Sequence, residues 1–299
     1  MALLSERALL IVNPASRRGG VLQQPAMRAF ARAGVKTDAI VTEFAGHGAE
    51  VAQAMAESYD YVFTLGGDGT AMEVVDALAG MGRSVGILAG GTGNLLARAL
   101  GIPLRVEQAV PALLHGVRRR IDLGVLADGR HFAVAAGAGI DAAMIAGASS
   151  AARRRYGVLA YVHSATAAIL RRETFAVRAT VDGRVHEMEH CAGAMIANVG
   201  TILNGLLVLG PGIAPDDGAL DLCLFGAPRA TDIGVVMAKM ARRDFRPDPR
   251  LVFDRGCAIH IETVPPRLVE ADGEMLGLTP LAATVALGAA PLLVPRGAH

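Results

Sequence analysis

The residues in this chain best suited to chemistry are Gly66-Gly67-Asp68-Gly69-Thr70. They end an apolar run, Tyr59 to Leu65, and open a stretch of helical character, Ala71 to Leu78. Glycine has no Cβ and adopts φ > 0 readily, so backbone N–H groups in such a loop can face an anion closely, and the positive end of the helix favours that anion. Phosphate fits this description. A carboxylate in the same loop repels phosphate unless a cation lies between them, so Asp68 points to a magnesium-bound nucleotide. From the pentapeptide alone, a tight turn carrying an ordinary Asp reads the same way.

Two other loops have similar chemistry: Asn13-Pro14-Ala15-Ser16-Arg17-Arg18-Gly19-Gly20 and Gly90-Gly91-Thr92-Gly93-Asn94. The elements that must position them alternate. Apolar runs at 8–12, 35–42, 59–65 and 84–88 read as strands, and helical patterns follow at 22–33, 48–57, 70–79 and 94–100, the pattern of a parallel sheet covered by helices. Ligands on such sheets bind beyond the carboxyl ends of the strands. All three loops fall at those ends, whereas chance turns would scatter over both rims.

Beyond residue 118 the pattern changes to short strands with frequent turn residues, at 120–125, 131–136, 175–181, 184–198, 219–225, 258–263, 267–271 and 284–287. One helical insert, 141–172, interrupts them. Within it Val158, Leu159, Val162, Ala165 and Ile169 form an apolar stripe, flanked by Arg153-Arg154-Arg155 and Arg171-Arg172. That segment reads either as a core-facing helix with solvated basic ends or as a contact with anionic lipid head groups. The fold expected is α/β. Residues 1–118 form an N-terminal three-layer α/β/α nucleotide-binding domain, and residues 119–299 form a second, mainly antiparallel β-sandwich domain. Packing of the last residues back onto the first domain is left open.

Composition narrows the class. The 299 residues are 52% hydrophobic and 19% charged, enough to fold two domains without disulfide or metal staples. A net charge of +1, from 29 basic and 28 acidic residues, gives no global field to attract nucleic acid. Cys191, Cys223 and Cys257 are odd in number and far apart, so buried, reduced thiols in the cytoplasm are expected. The N-terminal apolar residues are broken by Ser5-Glu6-Arg7, which does not read as a signal peptide. Two uncharged stretches, 193–215 and 275–295, carry Gly and Pro throughout and read as buried strands rather than membrane spans. The eight histidines show no metal-ligand spacing.

With its loops placed, the chain resembles the diacylglycerol kinase catalytic family, specifically the compact bacterial soluble lipid kinases. Asn13-Pro14-Ala15-Ser16, Gly66 to Thr70 and Gly90 to Asn94 resemble its three loops. Ile121-Asp122-Leu123-Gly124, Pro215-Asp216-Asp217-Gly218-Ala219-Leu220-Asp221 and Glu270-Ala271-Asp272-Gly273-Glu274 follow in the family's order. One departure is Arg17-Arg18, which stands where the family usually has Gly soon after Ser16; these cations could themselves meet phosphate.

The resemblance implies an ATP- and Mg2+-dependent kinase that phosphorylates a lipid alcohol such as diacylglycerol, at the inner face of the membrane and in transient contact with it. Nucleotide contacts would come from Asn13, Pro14, Ala15, Ser16 and Arg17, from Thr42, from Gly66, Gly67, Asp68, Gly69, Thr70, Ala71 and Met72, and from Thr92. It also implies that Asp68 acts through water on the nucleotide's magnesium, with Asp122 nearby. A second, structural magnesium would be held by Asp217 and the carbonyls of Ala214 and Ala219, and Glu274 would be the general base. Independently of the family, a lipid hydroxyl needs a positioned carboxylate to take its proton, and Glu274 follows a short Asp-Gly turn between two apolar runs. Asp216-Asp217-Gly218 reads either as a plain turn or as carboxylates suited to a hard cation. Leu203, Leu206, Leu207 and Met144 are candidate walls for acyl chains. An NAD kinase shares the glycine loop but not the first and third loops, and a non-catalytic nucleotide-binding regulator would have no need of Asp68 and Glu274. A strand edge open to a second copy leaves a homodimer open.

Overall fold

The computed structural model describes residues 6–79, 81–139, 174–202 and 206–297. The chain divides into two compact units, residues 1–121 with 288–299 and residues 122–287. In the first unit β1 (Arg7–Val12), β2 (Lys36–Val41), β3 (Tyr61–Gly66) and β4 (Val85–Ala89) form a parallel sheet in the order β4-β3-β1-β2. The central strands are apolar and buried, whereas the edge strand β2 carries Lys36, Thr37 and Asp38 and is only partly covered. Between and beyond them lie α1 (Gly19–Arg32), α2 (His47–Met55), α3 (Asp68–Ala77), α4 (Leu95–Ala99) and α5 (Val106–Leu114). On α1, the buried Leu22, Ala26, Ala29 and Phe30 recur at helical spacing, and Phe30 meets Phe63 edge-on with ring centroids 4.8 Å apart.

The strand order explains where a site can form. The chain leaves β1 for β2 on one side, then returns across to β3 and β4 on the other. Right-handed crossovers running in opposite directions put their helices on opposite faces of the sheet, so α1 packs with α5 and α2 with α3. The loops after β1 and β3 therefore lead to helices on opposite faces, and this point of the carboxyl rim is where ligands bind on such sheets.

The second unit is antiparallel. It contains the end of β5 (Val117–Leu126), then β6 (His131–Phe132), β7 (Ala135–Gly139), β8 (Phe175–Val181), β9 (Arg184–Ala197), β10 (Thr201–Ile202), β11 (Leu207–Val208) and β12 (Leu220–Gly226). After α6 (Ala230–Arg242) come β13 (Leu251–Gly256), β14 (Ala258–Val264), β15 (Leu268–Ala271), β16 (Glu274–Leu278) and β17 (Leu281–Val294). The start of β9 pairs with β8, while its end lies between β7 and β12, so this one strand serves both layers of a sandwich. One layer runs β16-β15-β7-β9-β12-β13 and the other β9-β8-β14-β17. Between them lie Phe132, Val177, Ile196, Leu222, Ile259 and Leu281, all buried. The unit boundary falls inside β5 and β17; the end of β17 joins the first sheet, with Leu292 opposite Val85 in parallel register.

Several expectations need correction. The sequence pattern gave no helix at 230–242, because Ile233, Gly234, Val235 and Val236 are poor helix formers. Burial of Ile233, Val236 and Met240 on one face outweighs that propensity, and the Asp232 carboxylate accepts the Arg229 N–H at 2.8 Å to close the first turn. Strands β13 and β16 were also unread, the first because Asp254 and Arg255 break its apolar pattern. Cys191 and Cys223 are buried, but Cys257 is exposed. The uncharged stretches contain strands, and among the described residues no helix is long and apolar enough to cross a membrane. The basic insert at 141–172 lies outside the described residues, as do Met144 and Leu203.

Candidate active site

The three glycine-bearing loops form an interlocked set at the carboxyl ends of β1, β3 and β4. Asn13 begins the first loop: its backbone N–H donates to Leu65 O at 3.0 Å, and its side-chain amide donates to Thr70 Oγ1 at 2.8 Å, joining the first loop to the second. Its Oδ1 accepts the Ala15 N–H at 2.9 Å, an Asx turn that brings the chain round Pro14. Ser16 Oγ then accepts the Gly19 N–H at 3.0 Å, satisfying a donor at the start of α1. The Arg18 N–H donates to Gly90 O at 2.9 Å, joining the first loop to the third, and the Arg18 side chain borders a cavity of about 490 Å³ together with Arg105. Pro14, Ala15 and Arg17 are exposed on this loop, and the Thr42 N–H is held by Val12 O at 2.8 Å on the same rim.

The second and third loops meet backbone to backbone. Gly90 N–H donates to Gly66 O at 2.7 Å. A Cβ on Gly91 would lie 2.5 Å from Gly67 Cα, and one on Gly90 would lie 3.2 Å from Gly66 O. None of Gly66, Gly67, Gly69, Gly90, Gly91 or Gly93 has positive φ. What Gly90 and Gly91 supply is therefore the missing Cβ and not the left-handed conformation that glycine permits. The residue that does take positive φ here is Asn94, at +47°; its side chain both accepts the Gly91 N–H at 2.9 Å and donates to Gly91 O at 3.0 Å, holding the third loop closed around Thr92.

Asp68 opens α3, and its carboxylate accepts the Leu96 N–H at 3.1 Å, closing the triangle between the loops. Burial pushes this carboxyl above the usual carboxylate range, against the backbone donors of Leu96, Leu95 and Asn94, which pull it down. A half-buried carboxylate whose donors here are backbone N–H groups gains from a cation beside it, so the residues present fit a magnesium ion carried by a nucleotide. Ala71 and Met72 do not reach the rim. Both side chains are buried one turn into α3, and the Ala71 N–H is already bonded to Gly67 O at 3.0 Å. The donors that α3 presents end at Thr70.

In the second unit, Glu274 follows a two-residue hairpin turn between β15 and β16. Asp272 and Gly273 have φ of +47° and +91°, the left-handed pair that such a hairpin needs. Glu274 itself is exposed, but the turn beneath it is firmly tied. The Asp272 carboxylate accepts the N–H groups of Ala133, Val134 and Ala135 at 2.7, 2.9 and 3.1 Å. Glu270, only 4% exposed, accepts the Gly273 N–H at 2.8 Å.

Asp122, also 4% exposed, accepts the Gly218 N–H at 2.8 Å, and its own N–H donates to Pro215 O at 2.6 Å, so it clamps the 215–218 turn. Asp217 accepts the Ala219 N–H at 3.2 Å and is paired with Arg255 at 2.6 Å. The structural magnesium expected at Asp217, Ala214 and Ala219 does not fit this arrangement, because a dication there would stand against a guanidinium already on the carboxylate. Leu206 is 67% exposed and Leu207 is buried, so of these two candidate walls for acyl chains Leu206 is the open one.

A model of the diacylglycerol kinase catalytic domain matches residues 7–126, the three loops included. A model of the YegS C-terminal NAD kinase beta sandwich-like domain matches residues 134–294, more than half of the chain. The chain belongs to the diacylglycerol kinase catalytic family. As a member it is a lipid kinase, a phosphotransferase with an alcohol acceptor. A diacylglycerol kinase of Staphylococcus aureus is 27% identical over 282 residues, covering 93% of this chain and 89% of that protein. A structure of a candidate diacylglycerol kinase from Bacillus anthracis superposes with a TM-score of 0.81 at 25% identity, covering 98% of this kinase and 97% of that chain. A second Bacillus anthracis structure, at 21% identity and a TM-score of 0.76 over the full length of both chains, shares the fold.

Several residues of this kinase that organise the loops were not singled out from the sequence. Asn94 had a signal, since Asn is the non-glycine residue most at ease with positive φ and it closes a glycine loop. Asp272 and Glu270 stand beside Glu274 in one motif and read there as turn and strand residues. Arg255 had none, because it reaches Asp217 and Asp221 only through strand pairing.

Proposed function

We propose that this kinase transfers the γ-phosphoryl group of magnesium-bound ATP to the hydroxyl of a diacylglycerol-like lipid at the cytoplasmic face of a membrane. The observation that carries the donor half of this reading is the three-loop triangle, a rim of close-packed glycine backbone with the N-terminus of α3 and the half-buried Asp68 carboxylate at its centre. In this reading the N–H groups of Asp68, Gly69 and Thr70 and the polar side chains of Asn13, Ser16 and Thr92 hold the polyphosphate. Asp68 would hold the nucleotide's magnesium, which lowers the negative charge that builds up on the transferring group. Glu274 takes the acceptor's proton as its oxygen attacks phosphorus, and its exposed position above a fixed turn suits a group that must meet a substrate. Leu206 contributes to the surface that receives acyl chains.

The test is a transfer assay with purified full-length chain, labelled ATP and magnesium, offered diacylglycerol in mixed micelles, a sphingoid base, a mixed lipid extract and NAD in separate reactions. Label is expected in the organic phase with diacylglycerol. Label in NAD alone would overturn the lipid acceptor, and no label in any acceptor would overturn catalysis. Asp68→Ala is expected to abolish transfer while the circular dichroism spectrum is retained.

A further inference from the structure

We infer that the guanidinium of Arg255 takes the place of a divalent cation at the 212–221 segment, so that this part of the second unit is built without metal. Arg255 Nη2 donates to Asp217 Oδ2 at 2.6 Å and to Gly212 O at 3.0 Å, and Nε donates to Asp221 Oδ1 at 3.2 Å. Two carboxylates and a backbone carbonyl make the kind of all-oxygen set that a hard cation collects. Here a planar fork of N–H donors satisfies that set, and it can do so because its charge is permanent and its donors are spread in one plane. The position of the fork is fixed by the fold. Asp221 on β12 and Arg255 on β13 are directly opposite in the antiparallel register, and the 212–218 turn leads straight into β12. The 215–218 turn is held independently by Asp122 and by Asn198, which donates to Asp122 O at 2.9 Å. Neither hold calls for a metal ion.

The inference does not depend on the catalytic reading, so it is tested on the nucleotide-free full chain. Manganese, followed by electron paramagnetic resonance, reports binding, and thermal melts in EDTA and in magnesium report stability. Wild type is expected to melt at the same temperature in both solutions and to show no saturable manganese site that Asp217→Asn removes. Arg255→Ala is expected to melt roughly 4–8 °C lower in EDTA. It should recover in magnesium and gain one manganese site that is lost again when Asp217→Asn is added. Arg255→Lys keeps the charge without the fork and is expected to exclude manganese as wild type does. A manganese site in the wild-type chain that Asp217→Asn abolishes would overturn the inference, even if Arg255→Ala fails to fold. A folded Arg255→Ala that gains no site would overturn it equally.

Discussion

Replacing Asp272 with alanine should destabilise this kinase far more than replacing Glu274 with glutamine, although the two residues are two positions apart. Asp272 satisfies three N–H groups on consecutive residues, Ala133, Val134 and Ala135, all of them buried. A hydrogen bond to an ionised acceptor contributes about 1.5–3 kcal/mol, and a buried donor left unpaired costs about 1–3 kcal/mol. Three donors share two oxygens and water can reach part of the turn, so the terms do not add fully; the net loss for Asp272→Ala is about 3–5 kcal/mol. For a domain of this size 1 kcal/mol shifts the melting temperature by about 2–4 °C, which gives a fall of roughly 6–20 °C. Asp272→Asn keeps one acceptor oxygen and should fall by about half as much. Turnover measured well below the melting point should also drop in Asp272→Ala, because the hairpin carrying Glu274 loses its anchor. Glu274→Gln removes an exposed carboxylate, so its melting temperature should stay within about 2 °C of wild type while turnover falls at least 10²-fold, as expected for a lost general base. Differential scanning fluorimetry and the transfer assay, run on all three variants, decide the matter. An Asp272→Ala protein that melts like wild type would refute the anchoring argument, and a Glu274→Gln protein with normal turnover would refute the role of the base.

Gly91→Ala places a Cβ 2.5 Å from Gly67 Cα, with backbone on both sides that cannot rotate away, so the second and third loops must part. Overpacking of this kind costs about 1–3 kcal/mol, and we expect nucleotide affinity, read by titration with a fluorescent ATP analogue, to weaken by about 10-fold or more; unchanged affinity would refute the close-packed rim. Asp68 also gives a pH signature in the metal-free, nucleotide-free chain. Its folded carboxyl lies above the unfolded value, so the native state holds more protons than the unfolded state across that interval, and stability falls as pH rises through it. In urea melts between about pH 4 and pH 7 the difference between wild type and Asp68→Asn should grow against wild type as pH rises, and magnesium-nucleotide should diminish it; parallel stability curves would count against a carboxyl raised by its surroundings in the fold.

Local chemistry alone made much of the first unit readable. The strands β1, β3 and β4 are unbroken apolar runs, each loop after them is rich in glycine or small polar residues, and a parallel sheet can bring those loops together only at its carboxyl rim. The turn before Glu274 was readable for a similar reason, because Asp-Gly between two apolar runs specifies a tight turn within a few residues, but β16, the strand that completes the hairpin, was not. What depends on residues distant in sequence required the fold. That Gly90 and Gly91 matter for their missing Cβ, and not for positive φ, follows from their approach to Gly66 and Gly67, more than twenty residues away. The helix at 230–242 runs through the poor helix formers Ile233 to Val236 because one face is buried. The pairing of Arg255 with Asp217 and Asp221 is set by the register of β12 on β13, a property of two strands that no window along the chain contains. Turns and apolar runs are short-range consequences of side-chain type, whereas packing, register and the charge partners they select arise only when distant segments meet.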